Sequence, residues 1–242
     1  MNYRNFNRAG AGVGTIGVVG LNVDVTAVNG KSIDLDPIAG FCIEIAETIS
    51  TGDYLYESGQ LYQASAGLAG SIGTASSSIP KGGIGDLRAA RVRYLFDHFY
   101  QSSNIARWTH TDTTSNIHAF QLALWEVSHD DDLSLSKTSG SIYFARPETN
   151  AFRLNVINLA GSWLSDIQKA DVTEGYESKI YEVATLTSVK GSIDDKSFQD
   201  LVIAYAKDGP EYKQFSALLP VPEPSSILTL VLGSLLTLRR RR

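Results

Sequence analysis

The chain has 242 residues, of which 43% are hydrophobic and 10% aromatic, so it is long and apolar enough to build a packed core. Its formal net charge of −5 and its pI near 5.4 argue against a nucleic-acid binder, which needs a basic face to neutralise phosphates. Cys42 is the only cysteine, which excludes an intramolecular disulfide and a cysteine-based zinc site.

The beginning of the chain, residues 1–14, is ambiguous. Arg4 and Arg8 stand where the positive region of an export signal would be, but a glycine-rich segment follows them. We expect a truncated start, with a weak signal peptide as the alternative. A G-x-G-x-x-G pattern lies at Gly12, Gly14 and Gly17. Its context excludes dinucleotide binding, because a polar segment precedes the glycines and a period-two strand pattern follows them.

Residues 15–49 alternate in hydrophobicity between turn signals, which predicts β-strands. Within the segment GFCIEIAETI, Phe41 and Ile43 alternate with Cys42 and Glu44. The pattern therefore places Cys42 on a strand, facing away from the Phe41 side.

Three helices are predicted next, over residues 85–100, 114–128 and 147–168, from apolar residues at helical spacing. In the first of them, three arginines are expected on the solvated face: Arg88, Arg91 and Arg93. Two closing strands are predicted at 179–189 and 197–206.

The C-terminus combines three features in the order of a sorting signal. A proline-containing motif comes first, at Val221, Pro222, Glu223 and Pro224. The apolar segment 225–238 would span roughly 21 Å as a helix, less than the roughly 30 Å hydrocarbon core of a bilayer. A basic end follows, at Arg239, Arg240, Arg241 and Arg242. Such a cluster stays on the cytoplasmic side of the membrane and leaves the rest of the chain outside.

This layout resembles the PEP-CTERM sorting signal of Gram-negative bacteria. The resemblance implies export across the inner membrane, transient anchoring there by the C-terminal segment, and processing by an exosortase. It also implies a place at the cell surface or in an extracellular matrix.

No metal site is predicted. The run Asp130, Asp131 and Asp132 lacks the alternating ligands and central glycine of a calcium loop, so it indicates a solvated turn. The four histidines include no His-Glu-x-x-His pattern, so metal-dependent hydrolysis has no support. A cysteine hydrolase built on Cys42 needs a general base that nothing local marks. We therefore expect neither an enzyme nor a cofactor.

The second helix carries a polar residue on its apolar stripe. Ile117, Phe120, Leu124 and Trp125 have the spacing of a buried face, yet Gln121 occupies the same stripe. A buried amide without hydrogen bonds costs on the order of 2 kcal/mol or more. If the Cys42 strand packs beside this helix, the thiolate can attack the Gln121 carboxamide and expel ammonia, which leaves an internal thioester.

The segment GFCIE, with its cysteine 79 positions before the glutamine of FQLALWE, resembles the Cys-Gln thioester domains of bacterial surface adhesins. Their motif Gln-x-Ala-hydrophobic-Trp matches at Gln121, Ala123, Leu124 and Trp125. The resemblance implies an electrophile that acylates an amine or hydroxyl on a partner. Phe120 stands where the adhesins commonly have threonine, and the tail is not a Gram-positive wall anchor. A polysaccharide matrix, a neighbouring protein or the cell envelope is therefore the expected target. His118, one turn before the glutamine, is a candidate for assisting acyl transfer.

The sequence thus predicts an α+β fold, a β barrel or sandwich with an inserted helical portion, followed by a C-terminal membrane segment. Residues 1–206 form the predicted thioester-like domain, 207–220 a linker and 221–242 the sorting signal. The predicted function is covalent attachment of an exported surface or matrix protein to a partner. The alternative is a non-covalent structural or carbohydrate-binding matrix protein in which Cys42 is a buried thiol.

Overall fold

The protein is described here from a computed structural model. The described residues are 2–8, 13–17, 21–23, 27–28, 31–32, 38–43, 56–60, 84–100, 114–135, 142–144, 148–188, 200–209 and 213. The sorting signal at 221–242, most of the linker and Gly12 of the glycine pattern lie outside them.

The described residues include three α-helices and ten β-strands. The helices are α1 (Gly85–Phe99), α2 (Thr114–His129) and α3 (Ala151–Lys169). The strands are β1 (Asn2–Arg8), β2 (Val13–Gly17), β3 (Leu21–Val23), β4 (Ala27–Val28), β5 (Lys31–Ser32), β6 (Ile38–Cys42), β7 (Tyr56–Gln60), β8 (Ile142–Phe144), β9 (Tyr181–Ser188) and β10 (Leu201–Ala206). The three predicted helices, the strand that carries Cys42 and the two closing strands are confirmed. The predicted start of the third helix at residue 147 is wrong, because Asn150 caps the helix by accepting the N–H of Arg153 and the first helical residue is Ala151.

The largest sheet has five antiparallel strands in the order β3-β6-β10-β9-β7. A second sheet has the order β2-β1-β8, so the first strand of the chain lies between two partners. The three helices come between β7 and β9 in the chain, and these two strands are neighbours in the large sheet. The helical portion therefore leaves the sheet from one strand and returns to the adjacent strand.

The described residues show neither a closed barrel nor a sandwich, so that part of the predicted fold stays a prediction. None of the helices in the described ranges is long and apolar enough to cross a membrane.

The large sheet meets the helices through an aromatic cluster centred on Phe41 of β6. The Phe41 ring lies 4.6 Å from the ring of Phe120 on α2 and 6.0 Å from that of Phe96 on α1, between centroids. All three rings are fully buried. Aromatic pairs at such distances add about 0.5–1.5 kcal/mol each beyond the area they bury. This cluster fixes α2 against the end of β6, where Cys42 lies.

Helix α2 is buried on nearly every side. Its residues from Ile117 to His129 are all buried, because it packs against both other helices and approaches β8. A helix surrounded in this way is a central core element rather than a surface helix with one apolar stripe. Every polar side chain on it therefore needs an internal partner.

The sequence predicts that Arg88 lies on the solvated face of α1. This prediction is wrong, because Arg88 is buried. Its Nε donates to Asp131 Oδ1 at 3.0 Å, and its Nη1 donates to the carbonyl oxygen of Ser128 at 3.3 Å. These contacts join α1 to the end of α2. The prediction that residues 130–132 form a solvated turn is also wrong for Asp130. Asp130 is buried, whereas Asp131 and Asp132 are exposed.

Candidate functional site

Cys42 is the last residue of β6 and is paired with Leu201 of β10 on one side. Ile43, which follows it, donates its N–H to the carbonyl oxygen of Asp200 at 3.1 Å, so the alignment with β10 continues past the end of the strand. Along a strand, the backbone groups of successive residues point to alternate sides. Because Ile43 faces β10, the N–H and C=O of Cys42 face the opposite side, where β3 lies.

Among the described residues, β3 does not extend opposite Cys42. Its register with β6 pairs Leu21 with Gly40 and Val23 with Ile38, and the strand begins at Leu21. The backbone of Cys42 therefore faces the continuation of the β3 line beyond the residues that form that strand. Buried backbone polar groups of this kind need partners, since leaving each one unpaired costs about 1–3 kcal/mol.

The side chain of Gln121 supplies both partners. Cys42 N–H donates to Gln121 Oε1 at 2.9 Å, and Gln121 Nε2 donates to the Cys42 carbonyl oxygen at 2.7 Å. A carboxamide has the same kinds of donor and acceptor as a peptide group. The Gln121 side chain therefore continues the row of hydrogen bonds between β6 and β3 by one residue. The glutamine on the buried stripe of α2 therefore has a defined structural role.

These two bonds also place the Gln121 carboxamide next to the residue that carries the predicted nucleophile. Because the amide is bound to both backbone groups of one residue, its carbonyl carbon Cδ lies beside the Cα of Cys42. The thiol sulfur is two bonds from that Cα. Cys42 is 3% exposed and Gln121 is 0% exposed, so the pair is shielded from bulk water. The structure thus brings the two residues together.

The other residues of the glutamine motif lie in the hydrophobic core. Ala123, Leu124 and Trp125 are all buried on α2, directly after the glutamine. Their positions fix the rotation and depth of the helix rather than contributing a reactive group. An apolar surround of this kind limits the alternative positions of the Gln121 side chain.

His118 is buried one turn before the glutamine, and its described ring contact is with Phe152 of α3, 6.3 Å away between centroids. Burial lowers the pKa of His118 to about 4, so the imidazole is neutral at neutral pH. A neutral imidazole can accept a proton, but so low a pKa makes it a weak base. The assisting role predicted for His118 stays a prediction.

Glu126, in the same motif, has a buried carboxyl that the sequence reasoning did not single out. It is 0% exposed, and burial together with the neighbouring Asp132 and Asp130 raises its pKa to about 10. Its Oε1 accepts the N–H of Ser134 at 2.7 Å. The available signal was the spacing of Glu126 and Asp130, which are four residues apart in the sequence.

Comparison of the chain with protein-family models, with curated proteins and with solved structures gave no match.

Proposed function

We propose that the protein is an exported surface or matrix protein in which Cys42 and Gln121 form an internal thioester that attaches it covalently to a partner. The observation that carries the proposal is the pair of hydrogen bonds, 2.9 and 2.7 Å long, between the Gln121 carboxamide and the Cys42 backbone. It supports the proposal because the only thiol of the chain and one buried amide share a single site.

The bond forms by attack of Cys42 Sγ on Gln121 Cδ. The S–H and C–N bonds break, the S–C bond forms, and the thiol proton leaves with the amide nitrogen as ammonia. An amide is a poor electrophile in water, but holding reactants in near-attack geometry gives effective molarities of about 10⁵ to 10⁸ M. The two hydrogen bonds hold the amide against the Cys42 backbone, which supports such a geometry without defining the position of the sulfur.

The Cys42 N–H contributes to the chemistry as well as to the positioning. It donates to Gln121 Oε1, the oxygen on which negative charge develops when sulfur attacks Cδ. A donor already aimed at that oxygen stabilises the tetrahedral intermediate in the manner of an oxyanion hole. The same donor serves the later attack of an amine on the thioester, because the carbonyl oxygen is retained when ammonia leaves.

The attachment reaction is a single event. An amine or hydroxyl of the partner attacks Cδ, the S–C bond breaks, and Cys42 is released as a thiol while the partner stays bound through the former glutamine. The protein is therefore not a turnover enzyme. The sorting signal at residues 221–242 supports a partner outside the inner membrane, such as a matrix polysaccharide or an envelope protein. An exosortase-type enzyme is the expected processing partner, and the acidic chain is not expected to bind nucleic acid.

Methylamine tests the reactivity directly. Wild type incubated with methylamine should gain one methylamine per chain and release one thiol for titration with a chromogenic disulfide. Gln168, which is exposed on α3, offers a matched control, because Gln168→Ala should react as wild type does. Cys42→Ala and Gln121→Ala should not react. If His118→Ala reacts at the wild-type rate, the assisting role of His118 is excluded.

A second candidate function is a non-covalent structural or carbohydrate-binding matrix protein with Cys42 as a buried thiol. The same two hydrogen bonds favour it, because they satisfy the Gln121 amide and the Cys42 backbone without a covalent bond. In this case freshly prepared protein shows a titratable thiol after unfolding without any amine, and methylamine adds nothing.

A further inference from the structure

The end of α2 brings three carboxylates together. One oxygen each of Glu126, Asp130 and Asp132 lies within 4.8 Å of the others. Glu126 and Asp130 are buried, at 0% and 8% exposure, whereas Asp132 is exposed. Glu126 lies in the last turn of α2, Asp130 directly follows the last helical residue and donates its N–H to the Glu126 carbonyl oxygen at 2.8 Å, and Asp132 follows in the turn after the helix.

Backbone N–H groups hold these carboxylates in place. The Ser134 N–H donates to Glu126 Oε1 at 2.7 Å and also to Asp132 Oδ1 at 3.0 Å, so one donor serves two anions. Asp130 accepts the N–H of Asp131 at 3.0 Å and that of Ile142 at 3.2 Å. The loop after α2 and the start of β8 therefore fix the geometry of the cluster.

The hydrogen bonds leave one buried ligand atom unused. Glu126 Oε2 is inaccessible to solvent and has no hydrogen-bond partner among the described residues. The ion pairs described for Arg88 and Arg91 of α1 are with Asp131, 3.0 and 3.9 Å away, and not with a carboxylate of this cluster. A buried oxygen anion without a donor requires a proton or a cation. The C-terminal end of a helix also favours a cation, because the last carbonyl groups carry partial negative charge.

We propose that Glu126, Asp130 and Asp132 bind one hard divalent cation of the size of Ca²⁺. Ca²⁺ is bound by oxygen ligands at about 2.3–2.6 Å, so opposite ligands are about 5 Å apart, which accommodates the spacing of this cluster. Mg²⁺ requires about 2.0–2.1 Å and a near-ideal octahedron and usually keeps several waters, so three protein carboxylates are a ligand set more typical of Ca²⁺. The exposed Asp132 leaves the site open to solvent, so that water can complete the coordination.

The competing explanation is a proton shared between Glu126 and Asp132. The two explanations differ for Glu126→Gln, because glutamine imitates the protonated acid but is a poorer cation ligand. If only a proton is shared, Glu126→Gln is as stable as wild type and calcium has no effect on either protein. If the cluster binds calcium, the ion raises the melting temperature of wild type, and Glu126→Gln loses that response.

The experiment titrates full-length protein, first freed of divalent ions with a chelator, with CaCl₂ in a calorimeter. A dissociation constant of about 10⁻³ M or tighter is expected, with a rise in melting temperature of about 3 °C or more at saturation. NaCl at equal ionic strength is the reference. Asp132→Asn, at an exposed position that does not threaten folding, should weaken binding by about tenfold or more.

Asp166→Asn is the matched control, because Asp166 is an exposed carboxylate paired with Lys169 on α3, away from the cluster. It should bind calcium as tightly as wild type. The proposal is overturned if wild type shows neither binding heat nor a melting shift beyond that of NaCl. It is equally overturned if Asp132→Asn and Glu126→Gln both bind calcium with unchanged affinity.

Discussion

The carboxamide of Gln121 and the backbone of Cys42 form a closed pair of hydrogen bonds across 79 residues of sequence. The amide occupies the place of a peptide group beside a strand whose neighbour, β3, begins at Leu21, opposite Gly40. This single arrangement completes the buried backbone pairing at the end of β6. It also places an amide carbon beside the residue that carries the only thiol of the chain.

Loss of the Gln121 amide should destabilise the fold even when no thioester can form. In a Cys42→Ala background, the further change Gln121→Ala removes the two buried hydrogen bonds between the Gln121 amide and the backbone of residue 42. We expect the free energy of unfolding to fall by about 2–4 kcal/mol, measured by urea unfolding. Gln168→Ala in the same background should change it by less than about 0.5 kcal/mol. An equally small effect of Gln121→Ala would show that the two hydrogen bonds are not formed.

His118 should make stability fall as the pH is lowered from about 6.5 to about 4. Burial lowers the pKa of His118 to about 4, so in this window the unfolded chain binds a proton that the folded chain does not. Linkage gives a loss of about 3 kcal/mol near pH 4 for this pKa difference, and screening by solvent reduces the expected loss to about 2 kcal/mol. Above about pH 6.5 His118 adds no pH dependence.

Urea unfolding of wild type and His118→Leu at several pH values measures this difference. His118→Leu should show a weaker decline than wild type. Equal pH dependence in wild type and His118→Leu would contradict the buried neutral imidazole.

Asp97 should anchor the segment before β9 to α1. Its carboxylate accepts hydrogen bonds from the side chains of Tyr176 and Ser178 and from the N–H groups of Lys179 and Ile180. Burial alone would raise the pKa of Asp97, but these hydrogen bonds outweigh burial and lower it. This stabilisation is therefore present above the ordinary aspartate pKa and is lost as the pH falls below it.

Replacing Asp97 by asparagine should cost about 1–2 kcal/mol at neutral pH, measured by urea unfolding. The difference between the two proteins should shrink at acid pH as the wild-type carboxylate becomes protonated. A difference that stays constant down to pH 2 would show that the charge of Asp97 does not matter.

The C-terminal segment should be absent from the mature protein. Removal of Arg239–Arg242 takes away four positive charges and moves the formal net charge from −5 to −9. Intact mass of protein recovered from the native producer measures the end of the chain. The sorting hypothesis would be refuted if protein recovered from the outer surface of the producing cell retains all four arginines.

Local periodicity was sufficient to predict the helices and the strand that contains Cys42, but it did not predict that α2 is buried on nearly every side. The predicted features depend on neighbours within one or two turns, which a sequence displays directly. The question raised by Gln121, a polar residue on an apolar stripe, was also visible in the sequence. The proximity of Gln121 to Cys42 was predicted from their residue types and from the motif around Gln121, and the thioester between them stays a prediction.

The features that escaped prediction depend on residues distant in the chain. Arg88 is buried because Asp131 and Ser128 supply its partners from another helix, which no local pattern shows. The hydrogen bonds between the Gln121 amide and the Cys42 backbone depend on where β3 begins relative to β6. The role of Glu126 was not predicted, because this residue lies in an apolar motif. Its carboxylate neighbours come from the turn that follows the helix.

Intact mass tests the central claim most directly. Freshly prepared wild-type protein should be lighter than its sequence mass by one ammonia per chain, after allowance for any terminal processing. The deficit should be absent in Cys42→Ala and Gln121→Ala and retained in Gln168→Ala. A wild-type chain of full sequence mass, with a Cys42 thiol that titrates at once on unfolding, would contradict the thioester and leave Gln121 as a purely structural partner of the Cys42 backbone.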